Sequence, residues 1–290
     1  MLLWASSLIA LKIAFISYDP MQVIFGRMLI ASLCFVPFIR SFSRIPWQRR
    51  DIYYLLLMAI FEPCLYFLLE AGALENTSAS QAGMITAFLP LLVAIGAWVV
   101  LKEEIGRLTL VGFVVAICGA ALLSLTAENT VSAPAPLLGN LLELGAMVCA
   151  AGYTICLKHL SGRYPPLLLT AVQAFIGTLF FALFLAKPGV GLPLYWDNAP
   201  GLAIIYLGTL VTFGAYGLYN FGVSRIPANR AAAFVNLIPV FSVALGYWLL
   251  GEELSRGQWL ATLLVFAGVY LSQRGGRMLR KTQAVGSSAL

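Results

Sequence analysis

Residues 73–124 read ALENTSASQAGMITAFLPLLVAIGAWVVLKEEIGRLTLVGFVVAICGAALLS, and residues 222–273 read GVSRIPANRAAAFVNLIPVFSVALGYWLLGEELSRGQWLATLLVFAGVYLSQ. Laid on one another at an offset of 149 residues, the two run together without a gap. Pro90 meets Pro239, Leu101 meets Leu250, Glu103-Glu104 meets Glu252-Glu253, Arg107 meets Arg256 and Gly119 meets Gly268. Shared apolar composition gives scattered identities. It does not hold a proline, a double glutamate, an arginine and a glycine at one fixed spacing. Nearer the start, an offset of 146 pairs Leu11-Lys12 with Leu157-Lys158, and Tyr18 and Pro20 with Tyr164 and Pro166. The chain is read as a duplicated unit.

Each unit is built for lipid. Of 290 residues, 61% are hydrophobic and 10% charged, against about 25% charged in a soluble domain. So few charges cannot cover a water-facing surface. Lipid admits only helices or a closed barrel. Barrel strands alternate in polarity at every second residue, whereas the apolar runs here are continuous over about 20 residues, the length of a spanning helix. Ten spans are predicted, roughly 1–17, 21–39, 52–73, 78–101, 107–126, 137–158, 166–186, 200–222, 228–250 and 256–273. The fold class is all-α integral membrane, with a five-helix repeat over 1–126, a second over 137–273, and a basic tail, 274–290, expected to lack regular structure. Five is odd, so the two repeats are inverted. That is a plan of secondary transporters, which place their site at the midplane between the halves. The first run is short for a span, is interrupted by Lys12 and has no small-residue cleavage site after it, so it does not read as a signal peptide. Several residues are expected to be missing ahead of it.

Loop charges set the expected orientation. With the Arg40–Asp51 loop on the cytoplasmic side, that side also holds Arg44, Arg49, Arg50, Lys102, Arg107, Lys158, Arg163, Arg225, Arg230 and the tail's Arg274, Arg277, Arg280 and Lys281. The opposite side has Lys187 and Arg256. By the positive-inside rule both termini are cytoplasmic, and the expected location is the inner (plasma) membrane. The net charge of +6 follows from the same rule and implies no nucleic-acid partner. Gly112, Gly119 and Gly268 permit close helix approach, within one chain or between two, so monomer and homodimer both stay open.

Enzyme chemistry has little to stand on. Cys34, Cys64, Cys118, Cys149 and Cys156 lie in apolar spans without a CxxC pair and read as small buried hydrophobes. The sole histidine, His159, sits at a span end, so no zinc site and no Ser/His/Asp triad is expected. There is no phosphate-binding P-loop. No cofactor, metal or catalytic residue is assigned.

At this point the chain resembles the EamA family of the drug/metabolite transporter superfamily. The resemblance rests on Leu3-Trp4-Ala5-Ser6-Ser7 with Lys12, on Arg27, on Thr77-Ser78-Ala79-Ser80 leading to Pro90, on Lys102-Glu103-Glu104 and on Gly119. The second half repeats the later part as Ile226-Pro227-Ala228-Asn229, Pro239 and Gly251-Glu252-Glu253. It covers nearly the whole chain and implies a ten-helix metabolite carrier, often an exporter of amino acids or related compounds. It also implies a central cavity lined by helices 1, 3, 4, 6, 8 and 9. The chain departs from the family in its short first helix and its acidic third span, Phe61-Glu62-Pro63-Cys64-Leu65-Tyr66.

Ionisable residues inside spans point to function because lipid disfavours them. At 100° per residue, Glu62, Tyr66, Leu69, Glu70 and Ala73 share one face of span 3, and Asn140, Glu143, Met147, Ala150 and Thr154 share one face of span 6. Both faces should point inward. Glu62, Glu70 and Glu143 are the candidates for binding a cationic group or a coupling proton, since a carboxyl taken out of water favours its neutral form. Interfacial or buried neutral carboxyls are the plainer alternative. Trp4, Tyr66, Phe67, Tyr153, Tyr216 and Tyr219 are candidates for an aromatic lining, with ordinary packing the alternative for each. Asn140 and Asn236 are polar candidates at depth. Pro90 and Pro239 lack an N–H, which frees carbonyls near Thr86 and Val235, and read as a matched pair of gating hinges, with passive packing kinks the alternative. Pro63 is expected to bend span 3. Tyr195 and Trp196 read as interfacial anchors. Glu103 and Glu253 are expected to pair with Arg107 and Arg256. The cargo expected is a small polar or amphipathic metabolite, with protons as a candidate second cargo. A cationic or nucleotide-like import substrate is the rival within transport; outside it the rivals are a lipid-handling membrane protein or enzyme and a receptor or assembly subunit, the last of which would leave the inverted repeat and midplane acids without a purpose.

Overall fold

A computed structural model describes residues 1–42, 44–101, 107–191, 196–226 and 228–287. It contains ten helical segments, labelled here in chain order: α1 (Leu2–Ala14), α2 (Pro20–Phe42), α3 (Arg49–Asn76), α4 (residues 79–101), α5 (Arg107–Leu125), α6 (Pro136–Leu160), α7 (Pro166–Ala186), α8 (Asn198–Arg225), α9 (residues 228–250) and α10 (Arg256–Ser287). Eight of them are long and apolar enough, among the described residues, to cross a bilayer. α1 is a shorter apolar helix. The chain is an all-helical, multi-pass membrane protein.

Local sequence explains where helices start and stop. Asp19 accepts from the Met21 N–H at 2.8 Å while Gln22 reaches back to the Asp19 N–H, and Pro20 stands at the first helical position of α2. Ser78 accepts from Gln81 N–H at 3.2 Å and starts α4. Gly251, at φ 66°, ends α9 in a left-handed conformation that suits glycine. The tail departs from expectation. Instead of ending near 273, the backbone of α10 stays helical to Ser287. Met278, Leu279, Arg280, Lys281, Gln283 and Ala284 are good helix formers, and no proline interrupts them.

Packing reveals the duplication in three dimensions. α5 packs on α10, α2 on α7 and α4 on α9, each helix meeting its own counterpart. α3 packs on α6, and the exchanged pair, α8 on α1, packs too; so do α4 on α6 and α9 on α1. Every such contact has its mate when the halves are swapped, which is what a two-fold relation between inverted repeats requires. The glycines serve this internal packing. A Cβ on Gly119 would sit 2.7 Å from the Val265 nitrogen and 3.0 Å from the Ala261 oxygen, and one on Gly112 would meet the backbone of Gly268 and Ser272. The small-residue seam thus joins α5 to α10 within one chain.

Candidate functional site

The site is organised by a break in α3. Pro63 cannot donate to the helix ladder. The segment Ile60–Leu65 widens to π-helical spacing, Glu62 takes an extended backbone (φ −149°, ψ 117°) and the Glu62–Pro63 peptide is cis. The Glu62 carbonyl, released from the helix, accepts from Gln173 Nε2 of α7 at 3.0 Å. Its side chain, 4% exposed, accepts a hydrogen bond from the Tyr216 hydroxyl of α8. A regular helical projection is therefore wrong at Glu62. Glu62, Tyr66 and Glu70 nevertheless reach the same cavity, because the break re-aims Glu62.

That cavity measures about 40 Å³ as space open to the centre of a water molecule, room for about three waters. Its walls come from α1, α3, α4, α6, α8 and α9, with Arg27 added from α2. On one wall Trp4 lies against Tyr216 and Tyr219, with ring centroids 5.1 and 4.8 Å away. Its indole N–H is buried without a hydrogen-bond partner. On another, the Tyr66 hydroxyl donates to Glu70 at 3.0 Å, and Arg27 Nη1 faces the other Glu70 oxygen at 3.7 Å. The Arg27 guanidinium covers the Phe67 ring at 4.2 Å and donates through Nε to Thr212 at 3.2 Å. A neutral network lies alongside: Tyr153 bonds Asn220, Asn220 Nδ2 donates to Thr170 at 2.8 Å and to Gln173 at 3.3 Å, and the Thr154 and Tyr219 hydroxyls meet at 3.3 Å. The cavity thus offers acids, one cation, unpaired donors and aromatic faces within one small space.

Both prolines sit beside it in matched surroundings. Ahead of Pro90 the chain tightens to a 3₁₀ turn, Thr86–Phe88, and ahead of Pro239 to another, Phe234–Leu237. The freed carbonyls are recovered locally: Leu89 N–H donates to Thr86, and Ile238 N–H to Val235. Those four residues line the cavity.

Other candidates fall elsewhere. Asn140 is held by Thr77, Gln81 and Ser124 at 2.9–3.1 Å, away from the cavity walls, in a network joining α6 to α4 and α5. Glu143 is 0% exposed, and neither carboxyl oxygen has a hydrogen-bond partner; it is not in the cavity wall, although Met147 and Ala150 of the same face are. Asn236 is likewise off the wall, with a buried, unpartnered Oδ1. Phe67 backs the site, against Arg27 and Tyr216. Sequence reasoning gave no site role to Arg27, Gln173 or Asn220. The signal for Arg27 was present, since a cation inside a span needs an acid inside a span. Trp196 is exposed and donates to Asn198 at 3.2 Å, while Tyr195 lies outside the described residues.

The expected Glu253–Arg256 pairing is corrected, and it is the neighbouring Glu252 that makes the contacts. Its carboxylate accepts from the Ala79 and Ser80 N–H groups at 2.9 and 2.8 Å, capping α4 from the far end of α9. Glu253 forms no ion pair with Arg256; among the described residues the ion pairs are Arg27–Glu70 and Arg163–Asp51. Glu103 and Glu104 lie outside the described residues. Lys12 donates to the Ser132 carbonyl at 2.6 Å on the same side as Glu252. At the other end Lys158, its counterpart in the repeat, donates to Val223 and Ile226 carbonyls at 2.8 and 3.0 Å. Among the described residues no three His, Cys, Asp or Glu side chains gather to hold a metal.

The EamA-like transporter family matches residues 1–125 and again 137–273. The chain is 28% identical over 271 residues to the uncharacterized transporter YcxC of Bacillus subtilis, covering 91% of this chain and 86% of that one. An uncharacterized transporter of Archaeoglobus fulgidus is 24% identical over 279 residues, 94% of each chain. A solved crystal structure superposes with a TM-score of 0.62 at 18% identity, covering 96% of this chain and 97% of its own, a likeness of fold.

Proposed function

The chain belongs to the EamA-like transporter family, and we propose that it exports an amino acid or a related small compound across the plasma membrane by alternating access, with both termini cytoplasmic. The observation that carries the substrate class is the pairing of opposite chemistries in one cavity. Glu62 offers a carboxyl beside the aromatic faces of Trp4, Tyr216 and Tyr219, a setting suited to an ammonium group. Arg27 Nη1 and Trp4 Nε1 are buried donors without hydrogen-bond partners, a setting suited to a carboxylate. An ammonium arriving at Glu62 displaces any proton held there.

The hinges supply the motion. A cavity with room for about three waters must widen to admit a metabolite. The matched breaks at Pro90 and Pro239 are places where α4 and α9 bend without losing further backbone bonds. Inverted repeats make the inward-open and outward-open forms similar in energy. The aromatic wall around Glu62 also favours a second reading, import of a cationic or nucleotide-like metabolite.

Counterflow in proteoliposomes separates them. Protein reconstituted with pooled labelled amino acids is expected to exchange label from at least one pool. Exchange of labelled organic cations or nucleosides, with none from any amino-acid pool, would replace the amino-acid reading with the second.

A further inference from the structure

We propose that Arg27 and Glu70 form an exchange pair: a substrate carboxylate replaces Glu70 as the counter-ion of Arg27, and Glu70 takes up one proton as it is displaced. The inference rests on the cargo bearing a carboxylate, as in the function proposed above, and assigns that group a seat.

A guanidinium keeps its charge in a protein, and Arg27 is 1% exposed, so an anion must accompany it in every state. In the structure that anion is Glu70. The pair is loose. Arg27 Nη1 stands 3.7 Å from Glu70 Oε2, beyond hydrogen-bond length, and makes no hydrogen bond. Glu70 is held instead through its other oxygen, by the Tyr66 hydroxyl. Arg27 is held from behind by the Phe67 ring and through Nε by Thr212. The guanidinium therefore presents a fixed, unfilled donor at the cavity wall, and its present partner can let go without Arg27 moving.

Two carboxylates and one guanidinium in a small apolar space would leave a buried negative charge unpaired, which is strongly disfavoured. A second anion enters only as the first is neutralised. The other titratable groups around the pair are Glu62, bonded to Tyr216; Glu143 of α6; and Tyr66, Tyr153, Tyr216 and Tyr219. Among these acids Glu70 is the one ion-paired to Arg27. In the step, a proton from the open aqueous side forms an O–H bond on Glu70, the Arg27–Glu70 pair breaks and the Arg27–substrate pair forms. The added negative and positive charges cancel. Release runs the step backwards. A zwitterion, whose ammonium displaces a proton at Glu62, then binds with no net proton, whereas a molecule with the carboxylate alone exposes the uptake at Glu70.

The test uses the purified full chain in detergent. Each proteinogenic amino acid is compared with its amide, which lacks the carboxylate, and its des-amino acid, which lacks the ammonium. Binding is read by thermal shift and tryptophan fluorescence across pH. Binding of the recognised des-amino acid is expected to weaken about tenfold per unit rise in pH where Glu70 ionises. Glu70→Gln should bind it about tenfold more tightly and without that pH dependence, and Arg27→Gln should lose it while still binding the amide. Carboxylate binding that survives Arg27→Gln, or that is unchanged or weaker in Glu70→Gln, overturns the pair; if Arg27→Gln does not fold, the Glu70→Gln comparison decides alone. Des-amino acids that bind through Arg27 while amino acids do not would leave the pair standing and remove the amino-acid cargo. A panel in which only amides bind removes the pair, and one in which nothing binds removes both.

Discussion

α3 and α8 occupy equivalent places in the two repeats, and they differ in an instructive way. Both loosen to π-helical spacing at the same register, over Ile60–Leu65 and Leu207–Ala215. At the 149-residue offset, Pro63 falls on Thr212, yet α8 widens without a proline. The bend belongs to the frame. The chemistry does not: Glu62, Tyr66 and Glu70 fall on Val211, Ala215 and Tyr219. In the proposed alternating-access cycle, a frame that opens to either side gains from being duplicated. A substrate sits in it once and has two different ends, so its binding groups need not be. Arg27 shows the same division, since its counterpart at the 146-residue offset is Gln173. Arg27 reaches across to Thr212 of α8, and Gln173 reaches back to the Glu62 carbonyl of α3. The reach is shared and the charge is not.

Substitutions can break or sharpen that contrast. The largest effect is expected at Glu62. Glu62→Gln should reduce exchange by about 3 kcal/mol of binding, roughly 100-fold, in counterflow on protein that elutes as folded. Tyr216→Phe removes the hydroxyl that donates to Glu62 and should cost about 2 kcal/mol, read as a raised half-saturation constant in the same assay. Pro90→Ala and Pro239→Ala restore a donor to equivalent hinges and should slow exchange several-fold and by similar factors, with half-saturation little changed. A strong effect from one proline and none from the other would mean the hinges are not a pair. Gly119→Ala places a methyl against the α10 backbone and should lower thermal stability, by about 1–3 kcal/mol, while exchange per folded molecule stays the same.

Much of the frame was legible in the sequence because it is written twice. Continuous apolar runs divided by turn signals gave the ten helices, and the repeated proline, double glutamate and glycine gave the duplication. Composition gave the lipid environment. The site was legible only in part. The in-span acids Glu62 and Glu70 line the cavity, whereas Glu143, the third in-span acid, is buried without reaching the cavity wall, and Asn140, drawn in by a uniform helical projection, is held by Thr77, Gln81 and Ser124. The projection has no means of registering a break such as the one at Glu62, nor which of two inward-facing stripes meets a neighbour and which meets a void. Arg27 was visible as an in-span cation, but its partner Glu70 lies on another helix, and only packing brings them together. The role of Glu252 was hidden for the same reason. Local spacing pointed Glu253 to Arg256, while Glu252 bonds two N–H groups distant by 173 and 172 residues in the chain.

In this reading a symmetric frame carries an asymmetric site. Counterflow in proteoliposomes, run on Glu62→Gln beside the near-isosteric Val211→Thr at the equivalent position of α8, tests it most directly. Glu62→Gln is expected to reduce exchange of the recognised pool roughly 100-fold while Val211→Thr retains most of it, both proteins being equally well folded. Equal losses from the two, or full exchange by Glu62→Gln, would contradict it.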